Sequence, residues 1–284
     1  MIVDKIEAWA EAQAAARPAP SRIGAHNCGK CPRLLWHIIH GSKSEALTGR
    51  TRLIFDMGDR VEDAVFEFIE QAGIGFVRTN ESRDTVELPP VGRVKSDGVI
   101  GVQAGDSARL LGGGDPYALM TIEALGIKPG SILPVEVKSV SDFAFERAEA
   151  GSIDFDRLAQ LECYIRAYDC EYGLIIFYRK ETSHLFEALV RRDDDRWRLI
   201  CESVTAARGD DEPARPYAIV DACDGARDGT CVNGLTPKAG RPHKACDGTG
   251  KVPGGPFIPN YPCGYCQYKE ACWGRIEMAV SGDG

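Results

Sequence analysis

Apolar residues recur at helical spacing in LIFDMGDRVEDAVFEFIEQAG, where Leu53, Ile54, Met57, Val61, Val65, Phe68 and Ile69 share one side and Gly73 supplies a stop. The opening MIVDKIEAWAEAQAAARPAP predicts a short amphipathic helix that ends at PAPS. CPRLLWHIIHG predicts another, with Cys31 near its start and Pro32 in its first turn. Strand-like runs follow in IGFVRT, DTVEL and VGRVKSDGVIGV, separated by polar or Pro-Pro turns, and again in ILPVEVKSV, YGLIIFY and HLFEALV. Helical patterns span roughly Asp154 to Asp169 and the segment DRWRLICESVTAA. This order predicts an α/β fold in which a central mixed β-sheet is flanked by helices. The stretch AGDSARLLGGGDPYALMTIEALGIKPGS interrupts it and predicts an insertion, about residues 104–130, with its own helix around Pro116 to Leu125. From about Gly209, Gly, Pro, Cys and Asp dominate with little periodicity, so this region predicts a loop-rich appendage held by something other than a hydrophobic core. The chain thus divides into an N-terminal segment (1–52), a core (53–208) and a Cys/Gly-rich C-terminal region (209–284).

Composition narrows the class. With 284 residues and 44% hydrophobic content the chain can bury a core, and no apolar run reaches the ~18 residues of a membrane span. Its N-terminus lacks the basic start of a signal peptide, which predicts a cytoplasmic protein. In a reducing compartment eleven cysteines, an odd number, favour metal ligation over disulfides. A net charge of −8 is unusual for a protein that binds nucleic acid, yet carboxylates that hold divalent cations count as negative although the bound ion reverses the local sign. The basic residues are also clustered: between Ser21 and Arg52, Arg22, Lys30, Arg33, Lys43, Arg50 and Arg52 face only Glu45, which makes either a solvated surface or a phosphate-binding one. Arg22, Lys30, Arg33, Arg50 and Arg52 are the candidate DNA contacts.

The most informative fragment is PVEVKSV, where Glu136 and Lys138, two apart on a strand, project to the same side. In so apolar a strand both are costly unless paired or bound to a metal. In VKSDGVI, Asp97 is equally hard to explain by packing. Gly58 and Glu62 lie four apart in the preceding helix, as do Gln160 and Tyr164 in the following one, so each pair shares a helical side.

This series resembles the RecB-like branch of the PD-(D/E)XK nucleases, whose pattern runs helix Gly-x-x-x-(His/Glu), strand Asp, strand Glu-x-Lys, helix Gln-x-x-x-Tyr. The resemblance covers about residues 28–180 and implies a restriction-endonuclease-like core. It implies that Asp97, Glu136 and the backbone carbonyl of Val137 hold Mg2+ or Mn2+, with Glu62 contacting that ion or a second one. Lys138 would orient or deprotonate the attacking water, its neutral form favoured by the nearby cation. Gln160 and Tyr164 would position the substrate backbone or the lysine. The long connection between Asp97 and Glu136 departs from a tight strand-to-strand link.

PCGYCQYKEACW carries Cys263, Cys266 and Cys272, and Cys31 lies far upstream; three clustered soft ligands and one remote thiolate suit a cluster or Zn2+. Cys28-x2-Cys31 with Cys263-x2-Cys266 is also a zinc-ribbon spacing, although it leaves Cys272 without a role. The arrangement resembles the iron-sulfur CRISPR-associated exonucleases and AddB-type helicase-nuclease subunits, which implies a 4Fe-4S cluster on Cys31, Cys263, Cys266 and Cys272, with Cys28 in solvent or beside the cluster. Cys223, Cys231, His243 and Cys246 form a further candidate Zn2+ site or a loop with free thiols, while Cys163, Cys170 and Cys201 read as small buried hydrophobes. By resemblance the function is a metal-dependent DNA nuclease, an exonuclease on single-stranded or end-containing DNA, bacterial or encoded by a phage of bacteria. Its setting would be recombination, repair, phage replication or CRISPR spacer acquisition, with protein partners from the recombination or CRISPR adaptation machinery. The alternative is a non-catalytic DNA-binding subunit with the same fold and cluster.

Overall fold

The computed structural model describes residues 2–17, 20–79, 85–112, 117–214, 244, 266–268 and 271–272. Its centre is a seven-stranded mixed sheet in the order β1-β4-β7-β8-β9-β5-β6. The strands are β1 (Phe76–Arg78), β4 (Gly98–Gly101), β7 (Ile132–Val140), β8 (Tyr172–Arg179), β9 (Leu185–Arg191), β5 (Ser107–Leu111) and β6 (Tyr117–Thr121). A separate two-stranded ribbon pairs β2 (Val86–Leu88) with β3 (Gly92–Val94). β7 and β8 run parallel and are almost wholly apolar, as strands covered on both faces should be.

Helices cover both faces. Alternation along β7 and β8 sends Val135, Val137, Leu174 and Ile176 toward α3 (Gly49–Gln71), where they meet Val65, Phe66 and Ile69. The opposite face, with Ile175, Phe177 and Val140, packs on Ala159, Leu161 and Ile165 of α5 (Phe155–Ala167), Phe145 of α4 (Asp142–Glu149), Ile200 and Val204 of α6 (Asp194–Ala207) and Leu35 and Ile38 of α2 (Pro32–Ile39). The N-terminal segment is therefore part of the same core. α3 starts earlier than its apolar pattern indicates. Thr48 Oγ1 caps it by accepting from Thr51 N at 3.2 Å, and Gly49 lets α1 (Ile2–Ala15) pass so closely that a Cβ would lie 2.1 Å from Glu7 O.

Three elements differ from the sequence reading. The insertion holds no helix at Pro116 to Leu125; SARLL and YALMT pair as an antiparallel hairpin, and β5 extends the sheet alongside β9 through Leu110 and Leu189. An open edge at β9 supplies ladder partners that local propensity does not register. α4 was not foreseen, although Ser141, Asp142 in the first turn, Phe145 and Ala148 buried three apart, and Gly151 at φ 80° make a complete helix signature. The run VGRVKSDGVIGV splits into β3 and β4, with Lys95 to Asp97 outside the ladders. α1 buries only Ala10, leaving Ile2, Val3, Ile6 and Trp9 exposed. Among the described residues no helix is long and apolar enough to cross a membrane.

Glu162 joins α5 to α6. It is fully buried, and its carboxylate accepts from Arg166 Nε at 2.8 Å, Arg196 Nη1 at 2.7 Å and the amide of Asp193 at 3.2 Å. Glu162→Ala leaves Arg166 with Asp194 and Arg196 with Asp193 but removes the buried carboxylate they share, at a cost of about 1.5–3 kcal/mol. Urea unfolding should show this loss, with Glu162→Gln less damaging; an unchanged midpoint for the alanine variant refutes the assignment.

Candidate active site

The site lies where sheet pairing splits. β4 pairs with β7 only as far as Gly98 with Val135, so β7 from Glu136 onward keeps β8 on one side and loses its other neighbour. The same register brings Asp97, one residue before Gly98, opposite Glu136. Thr79 N donates to Asp97 O at 3.2 Å and holds the bend in place. Glu136 and Lys138 point toward the α5 side, as the alternation required.

Glu136 is 1% exposed. Its Oε2 accepts from Gln160 Nε2 at 2.8 Å, and the second N–H of that amide reaches Tyr164 Oη at 2.8 Å. Gln160 and Tyr164, themselves buried, thus fix Glu136 from behind. Lys138 Nζ makes an ion pair with Glu136 Oε1, an oxygen without an aligned hydrogen bond. Val137 points the other way into the α3 side of the core.

Crowding of acids dominates the electrostatics. Burial first, then the charge of Glu136 and Glu62 and a hydrogen bond with Glu136, push the Asp97 carboxyl up to about 10. Burial, then Glu136, with Lys138 opposing, push Glu62 up to about 7. Burial alone would lower the Lys138 pKa, but the Glu136, Asp97 and Glu62 carboxylates outweigh it and raise the value. Without a metal these carboxylates favour the ammonium form of the lysine. Tyr164 is raised well above its ordinary value by burial, then by Glu136 and Asp97.

The acids Glu62, Asp97 and Glu136 sense one another's charge, yet among the described residues no group of three or more His, Cys, Asp or Glu side chains is drawn together as a metal shell. The chemistry of the donors nevertheless fits a hard divalent cation, and the buried Glu136 Oε1 lacks the hydrogen bond that a buried oxygen ordinarily has.

His26 was missed by the sequence reading. It sits in the turn after Ile23 and reaches solvent, with Lys138, Glu136, Lys30 and Arg22 as its charged neighbours. The protein packed round the ring lowers its pKa most, Lys138 next, and Glu136 opposes them. A lone histidine in a loop gives no periodic signal. Of the candidate DNA contacts, Arg22 and Arg50 are exposed and Lys30 is ion-paired with Asp156 at the surface. Arg33 and Arg52 do not fit that role. Arg33 is buried, with Nη2 2.5 Å from Glu212 Oε1 and Nη1 donating to Pro213 O at 2.7 Å, and Arg52 is buried against Asp56.

The thiols divide into two groups. Cys31 caps α2, its Sγ accepting from Leu34 N at 3.3 Å; burial raises its pKa, that backbone hydrogen bond opposes the rise, and neighbouring Cys272 adds to it. Cys266 Sγ accepts from Tyr268 N at 3.4 Å, and buried Tyr268 stacks on His37 of α2 with ring centroids 5.8 Å apart. Tyr268 thus sits on the last turn of α2, while Cys272 is near Cys31 at its start. Cys263, and all of Cys223, Cys231, His243 and Cys246, lie outside the described residues. Cys28 is not in solvent: it is fully buried, with its Sγ 3.3 Å from that of Cys163. Cys163 is buried as expected, whereas Cys170 and Cys201 are only partly so.

No protein-family model matches the chain, and no curated protein matches it. Among solved structures it is similar to the crystal structure of SSO0001, with TM-score 0.42 and 11% identity over 74% of this chain and 88% of that one. It is likewise similar to an alkaline exonuclease, LHK-Exo, from Laribacter hongkongensis, with TM-score 0.42 and 13% identity over 69% of this chain and 90% of that one. A phage-related exonuclease from Haemophilus somnus 129PT matches at TM-score 0.31 and 14% identity, over 53% and 66%. At these scores the overlap is partial, and the functional conclusion rests on the geometry of the site itself.

Proposed function

We propose that this chain is a metal-dependent DNA nuclease of the PD-(D/E)XK type, acting as an exonuclease on single-stranded or end-containing DNA. The observation that carries the reading is Glu136. It is a buried carboxylate fixed from behind by Gln160, with one oxygen lacking a hydrogen bond, in register with Asp97 and beside Lys138 at the point where β7 loses a neighbour. Burying such a carboxylate in an apolar strand is costly, and its neighbours Asp97 and Glu62 add like charge rather than relieving it.

In this reading Asp97, Glu136 and the carbonyl of Val137, with Glu62 near them, hold Mg2+ or Mn2+. The ion supplies charge neutralisation at the phosphoryl group and acidifies water. Lys138 presents N–H donors that orient the attacking water. Gln160 and Tyr164 keep Glu136 in one rotamer, so the carboxylate need not reorganise as charge develops. Cys31, Cys263, Cys266 and Cys272 carry a 4Fe-4S cluster; the support is the spacing of the four thiols and the closeness of Cys272 to Cys31, although among the described residues the thiols are not drawn into a ligand group. The cluster is a clasp, and its closest relatives in chemical logic are long-loop cross-links, worth about 5 kcal/mol.

Three outcomes test this. With end-labelled single-stranded, blunt-duplex and circular DNA, Mg2+ or Mn2+ should support cleavage and Ca2+ or EDTA should not, and Asp97→Ala, Glu136→Ala and Lys138→Ala should each lower the rate by at least about a hundredfold while remaining folded. Binding without cleavage under every condition would instead identify a DNA-holding subunit.

The second concerns pH in metal-free protein. Because Glu62 titrates near 7 when folded against 4.5 ordinarily, the folded state keeps a proton that the unfolded chain releases. Its contribution to stability is complete below the lower value and is lost as pH rises through the higher one. Denaturation midpoints in EDTA should therefore fall more steeply over this interval for the wild type than for Glu62→Gln, and Mg2+ should flatten the difference. Parallel curves for the two proteins would remove Glu62 from the acid cluster.

The third concerns colour. Protein purified without oxygen should be brown, with about four irons per chain. Cys31→Ser should bleach it and Cys28→Ala should leave the iron content unchanged. Colourless protein with one zinc dependent on Cys28 refutes the cluster.

A further inference from the structure

The turn that carries His26 is built more rigidly than an ordinary surface loop. Gly24 N donates to Asn27 Oδ1 at 2.9 Å, and the amides of Asn27 and Cys28 both donate to Gly24 O, at 3.1 and 3.0 Å. Ile23, Ala25, Asn27 and Cys28 are all buried. The turn is also seated on α5 without slack: a Cβ on Gly29 would come within 2.7 Å of both Asp156 Cα and Ala159 Cβ. Cys28 Sγ touches Ala159 O at 3.7 Å and Cys163 Sγ at 3.3 Å, and Lys30 pairs with Asp156.

Asp156, Ala159 and Cys163 are spaced i, i+3, i+7 and so form one stripe of α5, and Gln160, which holds Glu136, is the next residue round from Ala159. The turn is therefore docked beside the catalytic carboxylate. Between buried Ala25 and Asn27 it sends a single imidazole outward, among Lys138, Glu136, Lys30 and Arg22. The residue is exposed, although neighbouring protein partly desolvates its ring, and it belongs to no apolar cluster. The charges around it give it a use. Glu62, Asp97 and Glu136 crowd the reaction centre, and a phosphodiester backbone entering so acidic a site needs donors at its rim.

We propose that His26 is a substrate-binding residue whose imidazole N–H donates to a non-bridging oxygen of the DNA phosphate flanking the scissile one, with Arg22 and Lys30 adding positive charge beside it. This rests on the nuclease reading for the word scissile, but not for the contact with DNA. The rigid turn fixes the donor in advance, so that little ordering is required when the strand arrives.

Steady-state cleavage of a fluorescent single-stranded oligonucleotide in Mn2+, using the full chain with its metal centres intact, should show KM about tenfold higher for His26→Ala, the loss of one hydrogen bond to a charged group, with kcat within about twofold. His26→Gln, which keeps an N–H donor, should recover part of the loss. His26→Lys should restore affinity and steepen its dependence on salt. Fluorescence anisotropy with the same oligonucleotide in EDTA separates the two readings. If the wild type cleaves and His26→Ala has unchanged KM and unchanged binding, the phosphate contact is wrong and the nuclease stands. If the wild type binds without cleaving and His26→Ala weakens binding, the contact stands and the nuclease falls. A loss confined to kcat, or a wild type that binds no DNA, overturns the proposal.

Discussion

A carboxylate at 1% exposure in the middle of an apolar sheet is the constraint to which the rest of the site responds. Glu136 cannot be left uncompensated, because desolvating an ionised carboxylate costs several kcal/mol even after relaxation. Gln160 supplies one hydrogen bond and Lys138 an opposite charge, and both depend on larger structure. Gln160 is placed by α5 packing on β7 and β8, and Lys138 by the two-residue period of the strand. Both oxygens are thus engaged, Oε2 by a hydrogen bond and Oε1 by an ion pair without an aligned hydrogen bond, at the place where β4 stops.

The same break in pairing explains why three acids collect here. A continuous β4–β7 ladder would fill this edge with backbone hydrogen bonds, whereas its early end leaves Asp97 in a bend opposite Glu136 and lets Glu62 approach from α3. The Asp97 and Glu62 carboxyls are consequently pushed toward the neutral form, and a divalent cation that binds must displace protons as it does so. Affinity for the ion and acidity of the medium are therefore linked through the same residues. Lys138 belongs to this balance, since the carboxylates that raise its pKa are the ones a cation would share.

Much of this was legible from local pattern. ILPVEVKSV coincides with β7, the helices around Glu62 and Gln160 were found from their spacing, and Asp97 and Glu136, which lie opposite each other, stood out because no packing role suited them. What escaped depended on contacts distant in sequence. The hairpin at 107–121 takes its strand character from the exposed edge of β9, and the splitting of VGRVKSDGVIGV depends on which neighbours each half finds. His26 lacks any periodic context; only the seat of its turn on α5 reveals it. Arg33 and Arg52 illustrate the converse, because a basic cluster in sequence says nothing about which members are buried against Glu212 and Asp56.

Those buried arginines bear on how an acidic chain could hold a nucleic acid. Removing Arg33 and Arg52 from the accessible charge makes the −8 total less favourable still, so any attraction for phosphate has to be local. At physiological salt the Debye length is about 8 Å, which confines the relevant charges to the immediate rim of the site. There the balance differs from the whole: His26 has Lys138, Lys30 and Arg22 near it against Glu136 alone, and a cation bound by the acids would reverse their sign. Net charge is thus a poor guide to this surface. The sign that a phosphate meets is decided by whether the carboxylates carry protons, a metal ion or neither.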